Sequence, residues 1–488
     1  MNLGESIRRN TLWILTGNVS GQLITFAVGV ALARLLAPED FGLLVTINIF
    51  TGILSFVAAG GMGEALIQAK QVDEDDYRVV FTIQLLVCLL IYLGIYYIAP
   101  WFSIWFKNGL YMDLLRVAAL TFLIRPFTNI PRARLTRAMQ FKVIALSRLT
   151  GMIIGSIISI TLALMDMGTW ALIYGGLASP LINTALIYYH TRWLPGIRFI
   201  PSVARRLGSY GIKMSLNSII LYLRKQTSNL IISHQLGPSL LGLFNKADSL
   251  STLPAETISG SAYQTVFRAL SSEQENLDRS KYIYRRTIAL TAVYVLPFYI
   301  GLLWLAEPFI VTVYGNKWLE TALPLQILAL SGLFRIISSA SGAVIAAQNR
   351  LGHEVRIQIE TWILLVTGCF VGLPWGIVGI AWGILPSFAY LALRLAWLAN
   401  ECIRGSFPEL FHSLFPALLL NSALMGTLLI VHFVLPSGAS SDQPAIYLLT
   451  MSGIGGTVYA LLFLFAPVPT LASESSRWKQ KLKLLAKP

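Results

Sequence analysis

The chain has 488 residues, of which 55% are hydrophobic and 12% charged, and its mean hydropathy is +0.67. A soluble domain carries about 25% charged residues, so this composition excludes an ordinary soluble protein and indicates a membrane protein. The net charge of +14 is scattered over short segments, which argues against nucleic-acid binding. The three cysteines have no paired spacing, so neither a disulfide framework nor a metal site is indicated. No cofactor is expected.

Apolar stretches of about 20 residues, long enough to cross about 30 Å of hydrocarbon as helices, recur along the whole chain. The first is longer than the core of a signal peptide and is followed by no small-residue cleavage site, so we expect it to be retained. We predict an all-α polytopic membrane protein with about fourteen transmembrane spans, at 11–33, 42–66, 79–100, 113–130, 143–165, 169–189, 210–234, 240–266, 287–305, 322–346, 357–374, 377–399, 413–434 and 445–466.

The lysines and arginines fall mainly on one side of this arrangement. If the N-terminus is cytoplasmic, 25 of the 37 lie in cytoplasmic segments, whereas the outer loops hold three, Arg34, Lys107 and Lys317. Because loop Lys and Arg set the orientation of membrane helices, we predict that both termini are cytoplasmic. The tail SRWKQKLKLLAKP is basic and amphipathic, so we expect it to lie on anionic lipids of the inner leaflet.

The phrase ARLLAPEDFG, which follows the first span, recurs as SHQLGPSLLG after the seventh. At an offset of 200 residues, Leu36, Pro38 and Gly42 match Leu236, Pro238 and Gly242. A second echo, AALTFLIR against LALSGLFR, follows in the same order. We therefore predict two parallel copies of a six-helix unit. They form an N-terminal lobe at 1–205 and a C-terminal lobe at 206–402, followed by two further helices and a basic cytoplasmic tail at 403–488.

Three features carry a family resemblance. They are the phrase ARLLAPEDFG, the Gly-rich end of the second span followed by ALIQ and an acidic loop, and the Arg-rich link IPRARLTRAMQFK. In these features the chain resembles the polysaccharide-transport branch of the MOP (multidrug, oligosaccharidyl-lipid, polysaccharide) exporter superfamily, and the resemblance extends over nearly the whole chain.

The resemblance implies a flippase of the bacterial inner membrane rather than an enzyme. It would move polyprenyl-pyrophosphate-linked oligosaccharide units by alternating access of two six-helix lobes, for exopolysaccharide or lipopolysaccharide assembly, with the polysaccharide polymerase machinery as a candidate partner. The chain departs from the branch at Ala59, where many members carry an acid before the Gly-rich end of the second span. The acid that this chain offers there is Glu64, on the far side of the glycines.

Charged side chains in the middle of a membrane span are costly and therefore mark candidate functional sites. Arg224 and Lys225 lie near the middle of the seventh span, and Asn217 shares a polar stripe with Arg224. The polar residues that the eighth span presents are Asn245, Lys246, Asp248, Glu256 and Tyr263. We predict that these groups line a cavity in which the cations compensate a pyrophosphate. Alternatively, an acid of the eighth span neutralises Arg224 or Lys225 in a buried pair.

Three arginines are candidate gates. Arg125 and its repeat partner Arg335 are predicted to lie in the cytoplasmic halves of the fourth and tenth spans. They could form an inner gate or contact a headgroup, and packing or snorkelling to the membrane surface is an equally good interpretation. Arg34 ends the first span and is best interpreted as an interfacial anchor. The candidate sites for coupling to a proton or cation are Asp248, Glu256 and Glu64, and charge pairing is the alternative for each.

Two other functions fit parts of the sequence. A multidrug exporter, or an exporter of another lipid, would share the fold, but small amphipathic cations fit poorly with basic residues in midspan. A membrane glycosyltransferase or polymerase is indicated only by DED at 73–75, which lies in a short loop with no catalytic domain around it. The sequence therefore favours the flippase.

Overall fold

The computed structural model describes the backbone of residues 3–435, 442–466 and 471–482. Within these ranges it describes the side chains except at 3–12, 14–15, 205–217, 259 and 261–262. Across this part of the chain the regular secondary structure is helical and includes no strand, which confirms the all-α prediction.

The helices alternate with short connections throughout the described ranges. Short 3-10 turns at Asn316–Thr321 and Leu373–Trp375 lead into α12 and α15 of the following series. The α-helices are α1 (Leu3–Leu35), α2 (Pro38–Ala59), α3 (Met62–Gln68), α4 (Glu74–Trp105), α5 (Leu110–Ala118), α6 (Leu120–Arg137), α7 (Phe141–Leu164), α8 (Thr169–Thr191), α9 (Pro201–Gln235), α10 (Pro238–Ser272), α11 (Leu277–Tyr314), α12 (Ala322–Ala329), α13 (Gly332–Ala347), α14 (Leu351–Gly372), α15 (Gly376–Ile403), α16 (Phe407–Val434), α17 (Pro444–Phe465) and α18 (Ala472–Lys481).

Each predicted span lies on one helix or on two consecutive helices. The second, fourth and tenth spans are divided, between α2 and α3, between α5 and α6, and between α12 and α13. The break after α2 has a local cause, because Gly60 and Gly61 have φ of 56° and 60°. Glycine adopts this left-handed conformation at little cost, and it ends an α-helix. The second span is therefore shorter than the apolar run that predicts it.

Nine helical segments in the described ranges are long and apolar enough to cross a membrane, or ten if the pair bent by 48° between α12 and α13 is counted. This confirms a polytopic membrane protein. One of these segments, Leu351–Ile403, contains both α14 and α15. Those two helices form a hairpin, since a Cβ on Gly368 would lie 2.0 Å from the carbonyl oxygen of Gly383. Close approach at small residues is a typical packing mode of helices in lipid.

The chain forms two compact units, Met1–Gly242 and Leu243–Pro488. In the first unit α7 packs along α8, and α1 packs against α7. Helix α9 lies against α2, α3 and α4 of the same unit. The predicted lobes at 1–205, 206–402 and 403–488 follow the sequence repeat rather than these contacts, and they remain a prediction.

In the second unit α11 is central and packs against α12, α13, α16 and α17. Its 38 residues extend about 57 Å at 1.5 Å per residue, which exceeds the hydrocarbon thickness of about 30 Å. Its first turns therefore extend beyond the apolar layer. Helix α18 docks on the N-terminal half of α11, where Trp478 Nε1 donates to the hydroxyl of Tyr294 at 2.8 Å and Arg286 Nη2 donates to Ser473 Oγ at 2.9 Å.

Candidate functional site

The two copies of the repeated phrase lie against each other at the starts of α2 and α10. A Cβ on Gly42 would lie 1.7 Å from the carbonyl oxygen of Pro238, and a Cβ on Gly242 would lie 1.9 Å from that of Pro38. We name these four residues the glycine crossing. The contact is reciprocal and joins backbone to backbone, so it requires glycine at both positions. The proline at the first position of each helix fixes φ where no intrahelical N–H bond is needed.

A buried cluster of hydroxyl groups lies one turn further along α2. Thr46 Oγ1 is 2.6 Å from Ser233 Oγ of α9, and the hydroxyl of Tyr111 of α5 donates to Thr46 Oγ1 at 3.0 Å. Thr46 and Tyr111 are at most 1% exposed and Ser233 is 4% exposed. Buried polar groups are costly unless they are hydrogen-bonded, so this cluster fixes the end of α9 against α2 and α5.

The C-terminal half of α9 carries the two cations that the sequence analysis places in a cavity. Arg224 is half-buried and Lys225 is exposed. Close by, the hydroxyl of Tyr222 donates to the carbonyl oxygen of Asn48 at 2.8 Å, so α9 is hydrogen-bonded to α2 at this level. The side chain of Asn217 lies outside the described residues.

Helix α10 brings together two residues that the sequence analysis assigns to different roles. Asp248 Oδ1 lies 3.7 Å from Arg335 Nη2 of α13, with side-chain exposures of 29% and 15%. Arg335 Nε also donates to Ser331 Oγ at 2.9 Å, and its guanidinium lies 4.4 Å from the centre of the Phe388 ring. The aromatic face and the hydroxyl orient Arg335 toward the carboxylate.

The other two gate candidates and Glu64 lie in the first unit. Arg125 Nη1 donates to the carbonyl oxygen of Ser55 at 2.6 Å, which joins α6 to the backbone of α2. Its repeat partner Arg335 instead contacts a carboxylate. Arg34 is exposed in the last turn of α1. Glu64 is exposed in the first turn of α3.

Lys246 has an aromatic environment. Its Nζ lies 4.9 Å from the ring centre of Tyr314 and 5.1 Å from that of Trp318. Two ring faces attract an ammonium group electrostatically and stabilise it where few water molecules reach it. Asn245, the preceding residue, is half-buried. The aromatic pair was not anticipated, because Tyr314 and Trp318 are distant in sequence from Lys246.

The C-terminal half of the predicted stripe on α10 is exposed. Glu256 and Tyr263 are both exposed, and the ring of Tyr263 is parallel to that of Phe267 with their centres 6.3 Å apart. Among the described residues, no group of three or more His, Cys, Asp or Glu side chains could hold a metal ion.

A further polar network joins α14 and α15. Glu360 accepts from Arg356 Nε at 3.1 Å and from the hydroxyl of Tyr390 at 2.7 Å, and its carboxylate lies 3.7 Å from Arg394 Nη2. The sequence analysis names neither Arg394 nor Glu360 as a candidate. The spacing of four residues between Arg356 and Glu360 on one helix face is the signal that could have found the network.

Comparison with known proteins places this arrangement in a family. The sequence profile described as "Polysaccharide biosynthesis protein" matches residues 31–323, which is more than half of the chain. The chain belongs to this family. Membership of this family confirms the resemblance to the polysaccharide-transport branch. The matched residues include the glycine crossing, α9 and α10.

Individual proteins resemble this polysaccharide biosynthesis protein over most of its length. An "Uncharacterized membrane protein in cps region" of Klebsiella pneumoniae is 22% identical over 99% of each chain. The "Succinoglycan biosynthesis transport protein ExoT" of Rhizobium meliloti (strain 1021) is 24% identical over 67% of this chain and 66% of that protein. A structure of "Lipid II flippase MurJ, inward closed conformation" has a TM-score of 0.70 and 14% identity, covering 96% of this chain and all of the other, which shows a shared fold.

Proposed function

We propose that this protein is a flippase that carries polyprenyl-pyrophosphate-linked oligosaccharide units across the bacterial inner membrane, for exopolysaccharide or lipopolysaccharide assembly. The observation that carries the proposal is the combination of family and fold: the family model is described as a polysaccharide biosynthesis protein, and the fold is shared with a lipid II flippase. The similarity to a succinoglycan transport protein supports the same class of substrate. A multidrug exporter is less well supported, because the family model and the similar transport protein of Rhizobium meliloti are both described by polysaccharide biosynthesis.

The proposed headgroup site consists of polar residues of α9 and α10. Arg224 would provide a bidentate fork for phosphate oxygens, and Lys225 and Lys246 would supply further positive charge. Asn217, Asn245 and Tyr263 would provide hydrogen bonds for sugar hydroxyl groups. A diphosphate carries about two negative charges, so partly dehydrating it requires such compensation.

The Asp248–Arg335 pair is proposed as a switch within this site. The pair is partly exposed, so a diphosphate or a proton on Asp248 would weaken it. Glu256 and Glu64 are proposed as additional sites for coupling or for charge pairing. Arg125 and Arg34 are kept as gate candidates, Arg125 through its contact with the backbone of α2 and Arg34 at the outer end of α1.

The orientation is proposed from charge. Both termini would be cytoplasmic, because 25 of the 37 Lys and Arg then lie in cytoplasmic segments. In that orientation α18 lies at the inner leaflet, where its Arg477, Lys479 and Lys481 would meet anionic lipids. The polysaccharide polymerase machinery would act on the product at the outer face.

The proposal is tested by replacing Arg224 in a strain that depends on this protein for surface polysaccharide. Arg224→Ala is expected to lower the polymer at least tenfold, whereas Arg224→Lys keeps a charge and should retain part of it. Lys70→Ala removes an exposed loop cation and is the matched control. Normal polymer from well-expressed Arg224→Ala would refute the assigned role of Arg224.

Reconstitution tests the transport class independently of that residue. Vesicles that contain the purified protein should expose a polyprenyl-diphosphate oligosaccharide to an added glycosidase faster than protein-free vesicles. The same vesicles should not accelerate movement of ethidium, a small aromatic cation. Transport of ethidium without transport of the lipid-linked sugar would favour the multidrug class instead.

A further inference from the structure

A groove of about 920 Å³ lies entirely within the unit Leu243–Pro488, and none of the residues that line it belongs to the proposed headgroup site. It is formed by the first turns of α11, the first turns of α16 and the start of α18. We name it the α11–α16 groove. Its volume falls within the range of ligand pockets, about 300–1,000 Å³.

Cations outnumber carboxylates in its lining. Lys281, Arg285 and Arg286 are joined there by His412, against the carboxylates of Asp278 and Glu409. Arg285 forms an ion pair with Glu409 at the start of α16, which holds the guanidinium at the wall of the groove. Lys281 lies 3.5 Å from Asp278, whose side chain is 96% exposed, so this pair is weak. Arg286 also lies 4.0 Å from Glu474, which is outside the lining. The lining residues themselves carry three positive charges against two negative ones, which favours an anion.

The position of the groove identifies the kind of anion. Helix α16 is a membrane-spanning candidate that starts at Phe407, and the groove lies at this start. On α11 it lies mostly before the apolar stretch that begins at 287. Tyr282 also lines the groove and is 67% exposed. Tyrosine is enriched at membrane–water interfaces. The groove is thus at the level of lipid headgroups.

We propose that the α11–α16 groove binds the phosphate headgroup of an anionic glycerophospholipid. The guanidinium of Arg285 and the ammonium of Lys281 contact the phosphate oxygens, and Tyr282 lies beside the glycerol. A lipid bound here would rest against α18 as well, because Ser473 lines the groove and accepts a hydrogen bond from Arg286. This lipid site does not rest on the proposed substrate.

The test measures lipid binding to the full-length purified protein. Phosphatidylglycerol is titrated into detergent micelles and the bound lipid is counted by native mass spectrometry. A lysine near a headgroup contributes about a fivefold gain in affinity, so Lys281→Gln should weaken binding about fivefold and Lys281→Glu about 25-fold. The matched controls are Arg279→Gln and Arg279→Glu, since Arg279 is two residues away on another face of α11 and is not part of the groove lining. They should change binding less than twofold.

Two further arms identify the source of the phosphate. Phosphatidylcholine with the same acyl chains should bind at least tenfold more weakly than phosphatidylglycerol. Inorganic phosphate at 10 mM should not displace phosphatidylglycerol, although a weak surface site for phosphate would fill at roughly this concentration. Equal losses at Arg279 and Lys281 would overturn the proposal, because they indicate diffuse surface attraction. Displacement by inorganic phosphate would overturn the lipid as ligand. Unchanged thermal unfolding of each variant without lipid establishes that folding is intact.

Discussion

A Gly42→Ala substitution is expected to destabilise the protein, although alanine is the better helix former. The new Cβ would lie 1.7 Å from the carbonyl oxygen of Pro238, whereas ordinary contact begins at 3.4 Å. The obstructing atom belongs to the backbone, so no side-chain rotation can relieve the overlap. The start of α10 must instead move by about 1.7 Å, the difference between these distances.

Two opposing effects set the magnitude. Overpacking of a well-packed contact costs about 1–3 kcal/mol. Alanine in place of glycine in a helix contributes about 1 kcal/mol in the opposite direction. Because the overlap is between backbones, we expect the cost to be near the upper end and the net loss to be about 1–2 kcal/mol. This corresponds to a decrease of a few degrees in Tm.

The assay is thermal unfolding of the purified protein in detergent, followed by intrinsic tryptophan fluorescence. Gly29→Ala is the matched control, because Gly29 is also a helical glycine and a Cβ there would meet no atom within 4 Å. Its Tm should be unchanged or higher. Gly242→Ala should resemble Gly42→Ala, and the double variant should lose less than the sum, since one widening of the crossing relieves both overlaps. A Gly42→Ala protein as stable as Gly29→Ala would refute the reasoning.

The remaining predictions concern polar contacts. Asp248→Asn and Arg335→Gln should each lower the free energy of unfolding, because the two charges face each other. The double variant should lose about 0.5–3 kcal/mol less than the sum of the two single losses. Strictly additive losses in thermal unfolding would contradict an interaction between Asp248 and Arg335. Thr46→Val should cost about 1–3 kcal/mol, because the buried hydroxyl groups of Ser233 and Tyr111 lose a common partner. Thr46→Ser keeps that hydroxyl and should cost less, and calorimetry showing equal losses would assign the effect to packing.

Much of the fold is predictable because its causes are local. An apolar run of about 20 residues must form a helix in lipid, where every backbone N–H and C=O needs an internal partner. Each predicted span therefore lies on helical structure. The division of the second span at Gly60 and Gly61 is also a local effect, but a hydropathy pattern does not register it, since both residues count as weakly apolar. The repeat was visible because Pro and Gly recur with fixed spacing.

The sequence by itself determined the helices, the membrane location, the repeated phrases and the family, since all of these depend on short-range patterns. Only the tertiary structure decided the partners: Asp248 faces Arg335, Lys246 lies between Tyr314 and Trp318, and the two repeated phrases lie against each other. A polar stripe indicates which face of a helix is costly to place in lipid. It does not say which helix covers that face, because the choice depends on packing between segments distant in sequence.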